Sequence, residues 1–231
     1  MVELSYFKGR GRAETTRWML AVNQIEFKNV QITTPQELAE LRLTGKLPFD
    51  QMPLLEMDGL CLSQSTAMVR YLARHGDFYG DSDHDAMWCD MFAGAVADLA
   101  ETALQAAFQP TAQAAVSTLN DRFQKFGSKF EARLSANADG VCAGTRLTFA
   151  DIVLAEALSG YLEWCPDILA HTPYVKALYA RVLDEPGIAR YLNSEQRYPK
   201  PCADYVIDVA RVLQRALPSH MPDANRFVLT K

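Results

Sequence analysis

The feature that most constrains the fold is a change of pattern at Gly76-Asp77-Phe78-Tyr79-Gly80. Before it, strand-length and helix-length segments alternate. After Asp83 only helical periodicity remains. Val2 to Phe7 reads as a short strand and Ala13 to Val22 as a helix with Trp18, Met19 and Val22 inward and Arg17 on the wet side. Phe27 to Ile32 alternates as a second strand. Thr33-Thr34-Pro35 then starts a helix through Leu38 and Leu41. Gln51 to Leu62 holds two strands around Asp58-Gly59, a strong hairpin signal, and a helix runs from Ser63-Gln64-Ser65 to Arg74. These elements give one mixed sheet with helices packed on it, an α+β unit over residues 1–80. Helices are expected over Asp83–Ala107, Thr111–Leu134, Phe149–Trp164, Pro173–Leu183, Pro186–Leu192 and Ala203–Leu217, making residues 83–231 an all-α domain. The stretch after Pro218 has little periodicity.

With 231 residues the chain can bury one large core or two small ones. A net charge of −5, without any Lys/Arg run, argues against non-specific binding to nucleic acid or to anionic membrane. No leader-like h-region and no apolar run of membrane-spanning length is visible, so a cytoplasmic location is expected. Cys61, Cys89, Cys142, Cys165 and Cys202 show neither C-x-x-C nor zinc spacing and read as reduced, with no metal. His75, His84, His171 and His220 fall in loops or helix ends and suggest neither a base nor a ligand.

The chemistry concentrates at Tyr6-Phe7-Lys8-Gly9-Arg10-Gly11-Arg12-Ala13-Glu14. A phenol at a strand end precedes a glycine-loosened turn that opens a helix. The helix N–H groups, Arg10 and Arg12 favour an anion there, such as a thiolate or carboxylate. A Gly-x-Gly turn alone is weak evidence, and a plain edge strand with a basic helix start fits the same residues. Thr148-Phe149-Ala150-Asp151 has the spacing of a capping box and reads as structural.

Taken together, Tyr6-Phe7, Arg10 to Glu14, Arg17-Trp18, Leu41-Arg42, Gln51-Met52-Pro53, Asp58-Gly59, Gln64-Ser65 and Thr148 to Asp151 resemble the cytosolic glutathione transferases over nearly the whole chain. The resemblance is closest to the alpha class, with the sigma class second. It implies a thioredoxin-like first domain that binds glutathione as co-substrate, a helical domain that completes a site for small apolar electrophiles, and a homodimer. Where a thioredoxin-type enzyme would carry C-x-x-C this chain has Tyr6 to Gly9, so the bound thiol is the expected nucleophile.

By the same resemblance Tyr6 and Arg12 are the catalytic pair, the phenol donating to the thiolate and the guanidinium adding positive field. Arg10 reads as a structural or surface charge. Arg42 and Gln51 meet the glycyl end, and Met52, before a cis Pro53, pairs with the cysteinyl backbone. Gln64 and Ser65 hold the γ-glutamyl carboxylate, and Asp98 reaches the γ-glutamyl ammonium of the partner subunit. Phe7, Gly9, Val209 and Leu213 are expected at the apolar substrate site and Phe49 as an aromatic key between subunits. Lys125, where the alpha class commonly has arginine, and the tail Gln214 to Lys231 depart from the pattern. Conjugation is the expected activity. Glutathione-dependent isomerisation of a prostaglandin or ketosteroid, or non-catalytic binding of hydrophobic ligands, is the alternative.

Overall fold

The structure is a computed structural model that describes residues 1–217 and 219–221. The first domain runs β1 (Val2–Tyr6), α1 (Glu14–Val22), β2 (Phe27–Gln31), α2 (Pro35–Leu43), β3 (Leu54–Met57), β4 (Leu60–Ser63) and α3 (Ser65–His75). The sheet order is β2-β1-β3-β4. β1 is parallel to β2, with Tyr6 opposite Gln31, and antiparallel to β3, with Leu4 opposite Leu55. β3 and β4 form the hairpin, and its corner residues Asp58 and Gly59 both take positive φ, 53° and 77°, as a turn matched to strand twist requires. The result is the mixed thioredoxin-like sheet with helices against it.

Local signals account for the helix starts. The Thr34 hydroxyl accepts the Glu37 N–H at 3.2 Å, while the Glu37 carboxylate accepts the Thr33 and Thr34 N–H groups, with Pro35 in the first turn. The second domain comprises α4 (Asp83–Gln105), α5 (Ala112–Ala136), α6 (Phe149–Leu162), α7 (Pro173–Leu183), α8 (Pro186–Leu192) and α9 (Ala203–Leu213). α6 is its centre and is buried almost throughout. Asp151 at its start accepts the Thr148 N–H and hydroxyl at 2.7 and 2.8 Å and the Cys142 N–H at 2.7 Å. These bonds satisfy the helix start and tie the preceding loop to it.

Several expected helix ends shift by one or two residues: α6 ends at Leu162 and not at Trp164, and α4 ends at Gln105 and tightens into a 3-10 turn over Ala106–Phe108. Two larger expectations change. α9 ends at Leu213 and not at Leu217, because Gln214 adopts a left-handed conformation with φ 51° and caps the helix. Arg17 is not on the wet side but 1 % exposed. Its guanidinium pairs with Glu14 at 3.0 Å and donates to Asn29 Oδ1 at 2.8 Å and to the Arg10 carbonyl at 3.2 Å, and it lies over the Tyr198 ring. Periodicity sends a charged residue outward, but partners from three other segments offset its burial here. Glu14 is held in turn by the Tyr191 hydroxyl and the Trp18 indole N–H.

Candidate active site

β1 delivers Tyr6 to the sheet edge, where the chain turns into α1. Its hydroxyl oxygen accepts the Arg12 backbone N–H at 3.0 Å, and its ring centroid lies 5.0 Å from that of Phe7. Burial raises the Tyr6 pKa, opposed by the Arg12 N–H, by the neighbouring Tyr205 hydroxyl and by the charges of Arg12 and Arg17. The phenol therefore stays protonated, and a donor, at neutral pH. The turn behind it is clamped from both domains. Arg10 pairs with Glu163 at 2.6 Å and donates to the Tyr198 carbonyl at 2.6 Å, while Arg17 holds the Arg10 carbonyl. Arg10 is thus structural. Arg12 stays largely in solvent and pairs with Glu101 of α4 at 2.6 Å.

A second group forms at the neighbouring edge. Gln64, with φ 69°, precedes α3 without capping it, and its side-chain amide donates to Gln51 Oε1 at 3.0 Å. Ser65 is the first residue of α3, so its hydroxyl and the free N–H groups of that turn lie together. The Met52-Pro53 bond is cis. Arg42 is exposed and donates to the Asp50 carbonyl at 3.3 Å, next to Gln51.

Between the domains lies a cavity of about 240 Å³, lined among others by Arg12, Ser65, Ala97, Ala100, Val153 and Trp164. It joins the turn after Tyr6 and the start of α3 to a wall of small and apolar residues from α4 and α6. Glu156 of α6 faces it and accepts the Thr15 hydroxyl at 2.9 Å. Burial first, and Glu14 nearby, push its carboxyl up to about 7. Sequence reading passed over Glu156, although a carboxylate inside the run Ile152 to Leu158 is a usable signal.

Other expected residues stand elsewhere. Phe7 is buried, and Gly9 is buried under the ring of Tyr205. Val209 and Leu213 pack on the core and do not line the cavity. Asp98 is exposed on α4 and Lys125 on α5. Phe49 is 63 % exposed in the loop after α2. Residues 222–231 of the expected tail lie outside the described residues. Tyr205, which reaches the reactive corner from α9, was not anticipated. Its only sequence mark is an aromatic on an amphipathic helix.

Two family models match the chain: "Glutathione S-transferase, N-terminal domain" over residues 2–74 and "Glutathione S-transferase, C-terminal domain" over residues 97–195. "Glutathione S-transferase alpha-3" of Rattus norvegicus is 36% identical over 200 residues, covering 85% of this chain and 90% of the relative. "Glutathione S-transferase A1" of Bos taurus is 34% identical over 211 residues, covering 90% and 95%. Among solved structures, monomeric Na-GST-3, a glutathione S-transferase from the hookworm Necator americanus, superposes with a TM-score of 0.74 at 26% identity, covering 84% of this chain and 97% of that one. Both domains of the chain are therefore matched in their expected order, and the chain belongs to the glutathione S-transferase family.

Proposed function

We propose that this protein joins the thiol of glutathione to small apolar electrophiles, with Tyr6 donating its hydroxyl to the thiolate. The observation that carries the reading is the Tyr6 hydroxyl, which belongs to a buried residue and accepts the Arg12 N–H at 3.0 Å, beside a turn whose next residues open onto the interdomain cavity. A thiol with a pKa of about 8.5 is only a few per cent ionised at neutral pH. One hydrogen bond to the anion contributes about 1.5–3 kcal/mol, enough to lower that pKa by roughly one to two units. The sulfur then attacks an electrophilic carbon, a C–S bond forms, the leaving group departs with its electron pair, and the thiol proton passes to solvent.

The remaining residues hold the peptide. Ser65, Gln64 and the start of α3 bind the γ-glutamyl carboxylate, Met52 pairs with the cysteinyl backbone, and Arg42 and Gln51 face the glycyl end. The apolar substrate lies in the interdomain cavity, with Phe7, Gly9, Val209 and Leu213 as backing behind it. Arg12 divides its charge between the sulfur and Glu101. In a homodimer, Phe49 would bury its ring in the partner subunit, bringing Asp98 to the partner's γ-glutamyl ammonium. The reading places the protein in the cytoplasm, where reduced glutathione is abundant.

The test is conjugation of a chloronitrobenzene by the purified protein. Glutathione-dependent product above the uncatalysed rate is expected. Glutathione binding without turnover on any electrophile would favour a ligand-binding protein instead.

A further inference from the structure

Helix α9 returns the chain to the reactive corner. The Tyr205 ring lies so close over Gly9 that a Cβ there would come within 2.1 Å of its Cε2 and 2.8 Å of its Cζ. At Gly11, with φ +43°, a Cβ would lie 2.5 Å from the Tyr6 hydroxyl oxygen and 2.6 Å from that of Tyr205. Both phenols thus converge on the space that the missing side chain of Gly11 leaves open. The two glycines make room for a second tyrosine of the same chain.

We propose that Tyr205 is a positioning residue for Tyr6: its O–H donates to the Tyr6 oxygen, so that the Tyr6 proton is left to point at the glutathione sulfur. The proposal rests on the reading of Tyr6 given above. A phenol oxygen has two acceptor lone pairs and one proton. The Arg12 N–H takes one acceptor position at 3.0 Å, and the Tyr205 hydroxyl, which faces the same open space beside Gly11, is placed to take the other. With both filled, the proton of Tyr6 has no partner among them and must be offered outward. Two donors to the same oxygen also draw charge from it, which makes its own O–H a stronger donor to an anion.

The charged and titratable groups facing this pair favour that direction. Burial raises the pKa of both phenols; Arg12 and Arg17 oppose it at Tyr6, whereas at Tyr205 the neighbouring Tyr6 and Glu14 add to it, with Arg17 opposing. Tyr205 therefore keeps its proton throughout the working range and serves as a fixed donor.

The experiment is Tyr205→Phe, which keeps the ring over Gly9 and removes only the hydroxyl. The apparent pKa of the thiol in the glutathione complex, read from thiolate absorbance against pH, should rise by roughly half to one pH unit. Turnover below that pKa should fall about three- to tenfold and recover at higher pH, with KM for glutathione within about twofold. Gly9→Ala, whose methyl displaces the ring, should shift the thiol in the same direction. An unchanged thiol pKa and pH profile in Tyr205→Phe would reduce Tyr205 to packing. Faster turnover or tighter glutathione binding would make it a plug on the sulfur position, and either outcome overturns the proposal. Tyr6→Phe separates the two levels. If it shifts the thiol and Tyr205→Phe does not, only the positioning role fails. If neither shifts it, the reading of Tyr6 fails as well.

Discussion

Replacing Arg17 by methionine should be among the most damaging single changes in the first domain. Its guanidinium is 1 % exposed and makes the ion pair with Glu14 at 3.0 Å and the bonds to Asn29 and the Arg10 carbonyl at 2.8 and 3.2 Å. Methionine fills much of the volume but strands the Glu14 carboxylate, itself 3 % exposed, with only neutral donors from Tyr191 and Trp18. Removing one partner of a buried pair costs about 3–5 kcal/mol, most of it from the uncompensated charge. Urea unfolding at fixed protein concentration should show a loss of that size, concentration being held because assembly would add to apparent stability. The double variant Arg17→Met/Glu14→Gln removes the stranded charge while keeping an acceptor for Tyr191 and Trp18. It should recover roughly 2 kcal/mol. A loss below about 1 kcal/mol, or no recovery in the double variant, would refute the argument.

Glu156 gives a pH-dependent prediction. Its carboxyl titrates at about 7 in the folded protein against the ordinary 4.5. Folding is thus unpenalised below the unfolded value, loses stability as pH rises between the two, and reaches a plateau above about 7. Glu156→Gln should flatten the melting temperature across that window and stabilise the protein at pH 8, by at most about 3 kcal/mol. A pH dependence identical to wild type would contradict it. Phe49→Ser tests assembly: a ring 63 % exposed in the single chain becomes worth roughly 1.5–3 kcal/mol per subunit if a partner buries it. Sedimentation should show weaker association, and a fully active wild-type monomer would remove the dimer from the account.

Much of the fold is legible because its signals are local. Thr34, Pro35 and Glu37 lie within one turn, Asp58-Gly59 names its own hairpin, and Thr148 and Asp151 are three residues apart. What sequence reading misses depends on distant partners. Arg17 reads as a solvent-facing charge because Tyr191, which completes the Glu14 cluster, is 177 residues from Glu14 along the chain. Tyr205 reads as one more residue of an amphipathic helix, and only the return of α9 over Gly9 brings it to Tyr6. The end of α9 is hidden in the sequence because Ala216 and Leu217 continue the apolar pattern while a non-glycine residue, Gln214, takes the left-handed cap. Val209 and Leu213 fit an apolar wall by pattern. The space itself is formed by Ala97, Ala100 and Val153 on other helices.

The most direct test is the pKa of the glutathione thiol bound to wild type and to Tyr6→Phe. The substitution removes a hydroxyl and keeps a buried ring that packs against Phe7. Thiolate absorbance titrated against pH should place the wild-type complex roughly one to two units below free glutathione and the variant back toward the free value. Turnover at neutral pH should fall roughly ten- to a hundredfold, and glutathione affinity much less, because the contacts proposed for Arg42, Gln51, Met52, Gln64 and Ser65 would remain. A variant with the wild-type thiol pKa and undiminished turnover would contradict the account and move stabilisation of the thiolate to Arg12 or to the backbone N–H groups of the turn.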